Sequence, residues 1–188
     1  MSVERLLWPR AVLLSCALLL NSVAAAYASD QPADAFDFDS AGAAAAMTPI
    51  FRDSLRRIAE HCSGIVPDSA AQWRKETVDW ESRNAPWSEA SAKMMSIVLQ
   101  ESRARGVDAD AVSARLEAQI AEYAAKVFEG MQQRAVAKSP VEVCATARQR
   151  VSAGLFDVSK NTHAYAASVD AMLREHLPVA TEAEPVKP

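Results

Sequence analysis

The chain has 188 residues, half of them hydrophobic, with 20 basic against 24 acidic residues and a formal net charge of −4. Mild acidity with no basic cluster argues against nucleic acid or anionic lipid as a partner, because phosphate binding needs a concentrated Lys/Arg face. Five glycines are too few for the turns of an all-β fold, and abundant alanine favours helix.

The N-terminus has the three-part pattern of a secretory signal. Arg5 and Arg10 precede an apolar run over residues 11–26, and Ala26-Tyr27-Ala28 places small residues at both key cleavage positions. Ser15, Asn21 and Ser22 interrupt that run, which at about 16 residues is short of the roughly 20 a membrane span requires. Cleavage after residue 28 is the expectation, leaving no stable membrane span. A lipoprotein reading at Cys16 would leave the long apolar stretch on the wrong side of the cysteine. Export carries the mature chain to a compartment where thiols oxidise. Cys62 and Cys144, the two cysteines left after cleavage, are therefore predicted to form a disulfide.

Residues 29–47 mix Asp30, Asp34, Asp37 and Asp39 with Gly and Ala and show no steady period. They read as a flexible acidic leader, with a helical tendency near residues 43–46. Phe36 and Phe38 either dock this leader or stand exposed on a mobile arm.

Thr48 followed by Pro49 reads as the cap and first position of helix one, where a missing N–H costs nothing. Phe51, Leu55, Ile58 and Cys62 then form one apolar stripe, with Gly64 as a left-handed stop and Pro67 barring continuation. Helix two spans about residues 69–83, capped by Asp68 or Ser69, with Trp73 and Trp80 on one side. Asn84-Ala85-Pro86 ends it, because the residue before proline resists helical angles. Helix three runs from about residue 87 or 88 to 105, burying Met94, Met95 and Val98, and Gly106 stops it.

Asp108 or Asp110 caps helix four, whose apolar positions Val112, Leu116, Ile120, Tyr123, Val127 and Met131 carry it to about residue 137. Gly130 within it marks a bend or a close approach. Ser139-Pro140-Val141-Glu142 is a capping-box signature that opens helix five, with Cys144, Ala147, Val151 and Leu155 along one face. A last helix over about residues 160–176 presents Tyr165, Val169, Met172 and Leu173, and a disordered tail follows at 178–188. The expectation is an all-α domain over residues 48–177: an antiparallel bundle of five to six helices with one disulfide.

The motifs of common chemistries do not occur. His61, His163 and His176 lack metal-ligand spacing, and oxidation of Cys62 would remove the thiolate that a Cys–His pair needs. No Gly-rich phosphate loop or Gly-x-Ser-x-Gly elbow is present, and no cofactor is implied. Glu101 with Arg105, Asp79 with Arg83 and Glu122 with Lys126 stand at i, i+4, where weak solvated pairs account for them.

Tryptophan at 73, 80 and 87 is the unusual local feature, flanked by Arg74, Lys75, Arg83 and Asn84. Two readings stand. Trp73, Trp80, Arg83, Asn84 and Trp87 form an aromatic–arginine hot spot for a partner. In the other, the rings plug the core while Arg83 and Asn84 finish the helix.

The segments Cys62-Ser63-Gly64-Ile65-Val66-Pro67 and Trp80-Glu81-Ser82-Arg83-Asn84 resemble those of small helical envelope proteins of proteobacteria, over about a quarter of the chain. That resemblance implies location and fold, and carries no assigned chemistry.

The functional expectation is a non-enzymatic periplasmic protein, or a fully secreted one, that binds another envelope protein as an inhibitor or immunity factor would. One alternative is a scaffold or chaperone with an apolar groove. Another is a small cell-wall-acting enzyme using a carboxylate pair.

Overall fold

A computed structural model describes residues 36–134, 139–161 and 165–178; the expected signal peptide, Cys16, His163 and positions 179–188 lie outside the described residues. The fold is all-α, with six α-helices among the described residues and one disulfide between the first and the fifth of them. The helices are α1 Phe38–Ile65, α2 Ala70–Arg83, α3 Ala85–Ala104, α4 Ala109–Arg134, α5 Pro140–Ser152 and α6 Ala167–Glu175. Short 3-10 turns, Pro67–Ser69 and Val158–Lys160, sit before α2 and after α5.

The 28-residue α1 is the axis of the molecule and packs against all five other helices. It begins eleven residues before the start that Thr48-Pro49 suggests. Asp37 is its cap, with Oδ1 accepting from the backbone N–H groups of Asp39 and Ser40, both at 3.1 Å. Pro49 lies inside the helix. The residues expected to form a flexible leader are in large part core: Ala41, Ala44 and Ala45 are no more than 1 % exposed. Their small side chains admit neighbouring helices at close range, and tertiary packing here overrides the local start signal.

A buried hydroxyl pair stitches this stretch to α3. Ser91 Oγ lies 3.0 Å from the Ala44 carbonyl and 2.9 Å from Thr48 Oγ1, and the Thr48 hydroxyl donates to the Trp87 carbonyl at 3.2 Å. Thr48 is thus an interior tie rather than a cap. Phe36 and Phe38 stand edge to face on one another and pack, partly buried, against the core, with the Arg105 guanidinium over the Phe38 ring.

Two glycine expectations divide. Gly106, φ 71°, ends α3 in the left-handed region as read. Gly64 is an ordinary helical residue, and α1 instead stops at Val66 before Pro67. Gly130 meets nothing within 4 Å of a notional Cβ, so no close approach depends on it.

Asp108 caps α4 by accepting from the N–H groups of Asp110 and Ala111. At the start of α5 the capping box forms in full. Ser139 Oγ accepts from the Glu142 N–H at 3.3 Å, and Glu142 Oε2 accepts from the Ser139 N–H at 3.0 Å. The last helix is shorter than expected. Asn161 Nδ2 donates to the carbonyls of Gly154, Leu155 and Asp157, which folds residues 153–161 into a self-bonded loop, and α6 starts only at Ala167.

Candidate functional site

The five residues singled out around the tryptophans do converge, but largely on the protein's own interior. Trp73, Trp80 and Trp87 are 2, 1 and 7 % exposed, and Asn84 is 1 % exposed, in line with the core reading of these rings. An exposed aromatic face is therefore not what they build.

Trp80, Arg83 and Asn84 instead hold the loop after α5. The indole Nε1 of Trp80 donates to the Phe156 carbonyl at 3.0 Å. Asn84 is the single residue between α2 and α3, and its carboxamide is fully used. Its Nδ2 donates to the Trp80 carbonyl at 2.9 Å and to Asp157 Oδ1 at 3.3 Å, while its Oδ1 accepts from the Val158 N–H at 2.9 Å.

Asp157 is the one charged side chain among the buried described residues, and cations flank its carboxylate on both sides. Arg83 Nη2 donates to Oδ1 at 3.2 Å and its Nε to Oδ2 at 3.3 Å, with Lys160 Nζ 3.4 Å from Oδ2. A buried carboxylate needs such compensation. The partner expected for Arg83, Asp79, instead accepts from Lys75 at 2.5 Å. The other two local pairs form as read, Glu122 with Lys126 at 2.6 Å and Glu101 with Arg105 at 3.9 Å.

The loop can reach Arg83 because Gly154 turns at φ 92°. A Cβ there would lie 2.6 Å from Lys160 Nζ and 2.7 Å from Asp157 Oδ2. Lys160 is close to Asp157 in the chain, but Arg83 and Asn84, which bury and bind its carboxylate from α2 and the corner after it, are more than 70 residues away and could not be read from the local sequence.

The second constraint is the disulfide. Cys62 on α1 and Cys144 on α5 are bonded with their Cα atoms 5.4 Å apart, and both sulfurs belong to the core. Ser63, next to Cys62, opens onto the surface.

There lies a shallow cleft of about 410 Å³ between the C-terminal half of α1 and α2. Arg56, Ala59, Glu60 and Ser63 form the α1 wall; Ala70, Trp73, Arg74, Thr77 and Val78 form the α2 wall. The lining is mainly carbon. Val78, 63 % exposed, is one of two large hydrophobic residues standing in solvent among the described residues, the other being Val141 on α5. Arg56 Nη2 donates to Glu81 Oε1 at 2.8 Å. Position 73 is where the tryptophan group meets this surface, its ring flooring the cleft.

His61 lies edge to face on Phe128 with centroids 5.1 Å apart. Among the described residues no cluster of His, Cys, Asp or Glu could hold a metal, and no helix is long and apolar enough to cross a membrane. Comparison with protein-family models, with curated proteins and with solved structures found no match to this chain.

Proposed function

We propose that the chain is an exported helical protein that acts by binding another protein of the cell envelope, as an inhibitor or immunity factor does, rather than by catalysis. The observation that carries this reading is the α1–α2 cleft. It is a small apolar hollow with basic rims, set on the stretch of α1 that the Cys62–Cys144 bond clamps to α5. A rigid surface loses little entropy on binding, and an apolar floor ringed by arginine is the make-up of an interface anchor. The N-terminal signal pattern and the resemblance to small helical envelope proteins support the location.

The buried carboxylate most like a catalytic acid, Asp157, has its lone pairs committed to Arg83, Asn84 and Lys160, which supports a structural role for it. A hollow of about 410 Å³ suits one or two side chains of a folded partner. It is small for a chaperone groove that accepts extended chains.

The test is a photo-crosslinking residue placed at Val78 in cells that export the protein, with Val141 as the control position. A covalent adduct with an envelope protein from position 78 and not from 141 is the expected result. Equal adducts from both positions, or none from 78, overturn the reading.

A further inference from the structure

The ion pairs around the cleft point to the chemistry of its occupant, on the reading that the cleft is a protein-binding surface. On α2 three cations stand within ten residues, and two are engaged: Lys75 with Asp79, and Arg83 with Asp157. Arg74, exposed on the cleft wall, has no carboxylate partner among the described residues.

Across the cleft, Arg56 uses Nη2 for Glu81. A guanidinium carries five donors, so most of its hydrogen-bonding capacity is left over. Arg56 is thus already paired with a carboxylate, whereas Arg74 is the lining guanidinium without one, on a molecule whose net charge is −4. The α2 wall of the cleft thus presents a cation without a carboxylate partner on an acidic body, and Glu60 stands on the opposite, α1 wall. Between the charges lie Ala59, Ala70, Trp73 and Val78, which offer carbon to carbon.

We propose that the cleft receives an aliphatic side chain from an acidic segment of the partner protein, with a carboxylate of that segment pairing with Arg74. The aliphatic group supplies the burial of apolar surface. The carboxylate selects the segment, because a rim charge contributes more to specificity and association rate than to affinity. A basic segment is disfavoured by Arg74.

The probe is a fluorescently labelled short helical peptide with two leucines one turn apart and glutamates at the flanking positions. Two companions carry lysines in place of the glutamates or serines in place of the leucines. Anisotropy against the mature, oxidised protein is expected to show the glutamate–leucine peptide binding at least tenfold more tightly than either companion. Arg74→Glu should weaken it about fivefold or more and narrow its advantage over the lysine version. The same charge change at Arg115, exposed on α4, should leave binding unchanged. Raising salt should weaken the glutamate peptide's binding to the unaltered protein more than its binding to Arg74→Glu. Arg74 has no ion pair to lose, so thermal melts of Arg74→Glu should match the parent and certify its fold.

Equal binding of glutamate and lysine peptides, or an Arg74→Glu effect no larger than that of Arg115→Glu, overturns the proposal. The two readings fail separately. An adduct at Val78 with no preference among the peptides removes the acidic partner and keeps the binding surface. Selective peptide binding without any adduct in cells keeps the chemistry of the cleft and removes the envelope protein.

Discussion

The Asn84 carboxamide and the Asp157 carboxylate meet at 3.3 Å inside the protein, 73 residues apart in sequence. Through this contact the corner between α2 and α3 and the loop after α5 satisfy one another's polar groups. Asn84→Ala would strip a donor from Asp157 and an acceptor from the Val158 N–H. A buried group left unsatisfied costs about 1–3 kcal/mol. With about 2–4 °C of melting temperature per kcal/mol in a chain of this size, a fall of several degrees is expected by circular dichroism. An unchanged melt would mean that the latch contributes nothing.

The disulfide closes a sequence separation of 82 residues. Chain-entropy reasoning assigns about 4–5 kcal/mol to a loop of that order. The double replacement Cys62→Ala, Cys144→Ala should lower the melting temperature on the order of 10 °C, and thiol titration of the folded parent should find no reactive sulfhydryl. A free thiol in the exported protein would contradict the bond.

Glycines separate cleanly into required and incidental. Gly154→Ala forces a Cβ into Lys160 and Asp157 at positive φ and should destabilise by at least 1–2 kcal/mol, roughly the left-handed penalty alone. Gly130→Ala, in the body of α4 with open space around it, should stabilise by about 0.5–1 kcal/mol. Urea denaturation of the two variants side by side tests both signs.

Tyr165 supplies a pH signature. Its hydroxyl donates to Asp170 Oδ1 at 3.2 Å, and burial, with the Asp170 carboxylate beside it, holds the phenol well above the ordinary tyrosine range. The unfolded chain releases that proton near pH 10, whereas the folded one retains it to higher pH. The contribution is therefore whole below about pH 10 and fades as pH rises from there towards the folded-state value. Thermal melts above pH 9 should fall more steeply for the parent than for Tyr165→Phe; parallel curves would remove the effect.

How much of this was legible depended on range. Caps are local, so Asp108, Gly106 and the Ser139–Glu142 box could be read from neighbours in the chain. Thr48-Pro49 misled because a start signal is only local, and Ala41, Ala44 and Ala45 gain their burial from α3 and α4 well downstream. Arg83 misled likewise: Asp79 is its neighbour on the helix, but Asp157 is its neighbour in space. The tryptophan spacing identified a cluster without saying which side faced water. Only Trp73 reaches the surface feature, and the cleft it floors depends on Arg74 and Val78, whose exposure no periodicity announces.

The position of α1 at the centre has a consequence for how the molecule comes into being. α1 is synthesised before the other described helices, whereas Val169 and Leu173, buried on α6, come after all of them. Ser40 near the start of α1 meets Ser168 across 128 residues. α1 therefore waits for the last of the described helices before its apolar sides are covered, and nascent chains truncated ahead of α6 should stay protease-sensitive along α1.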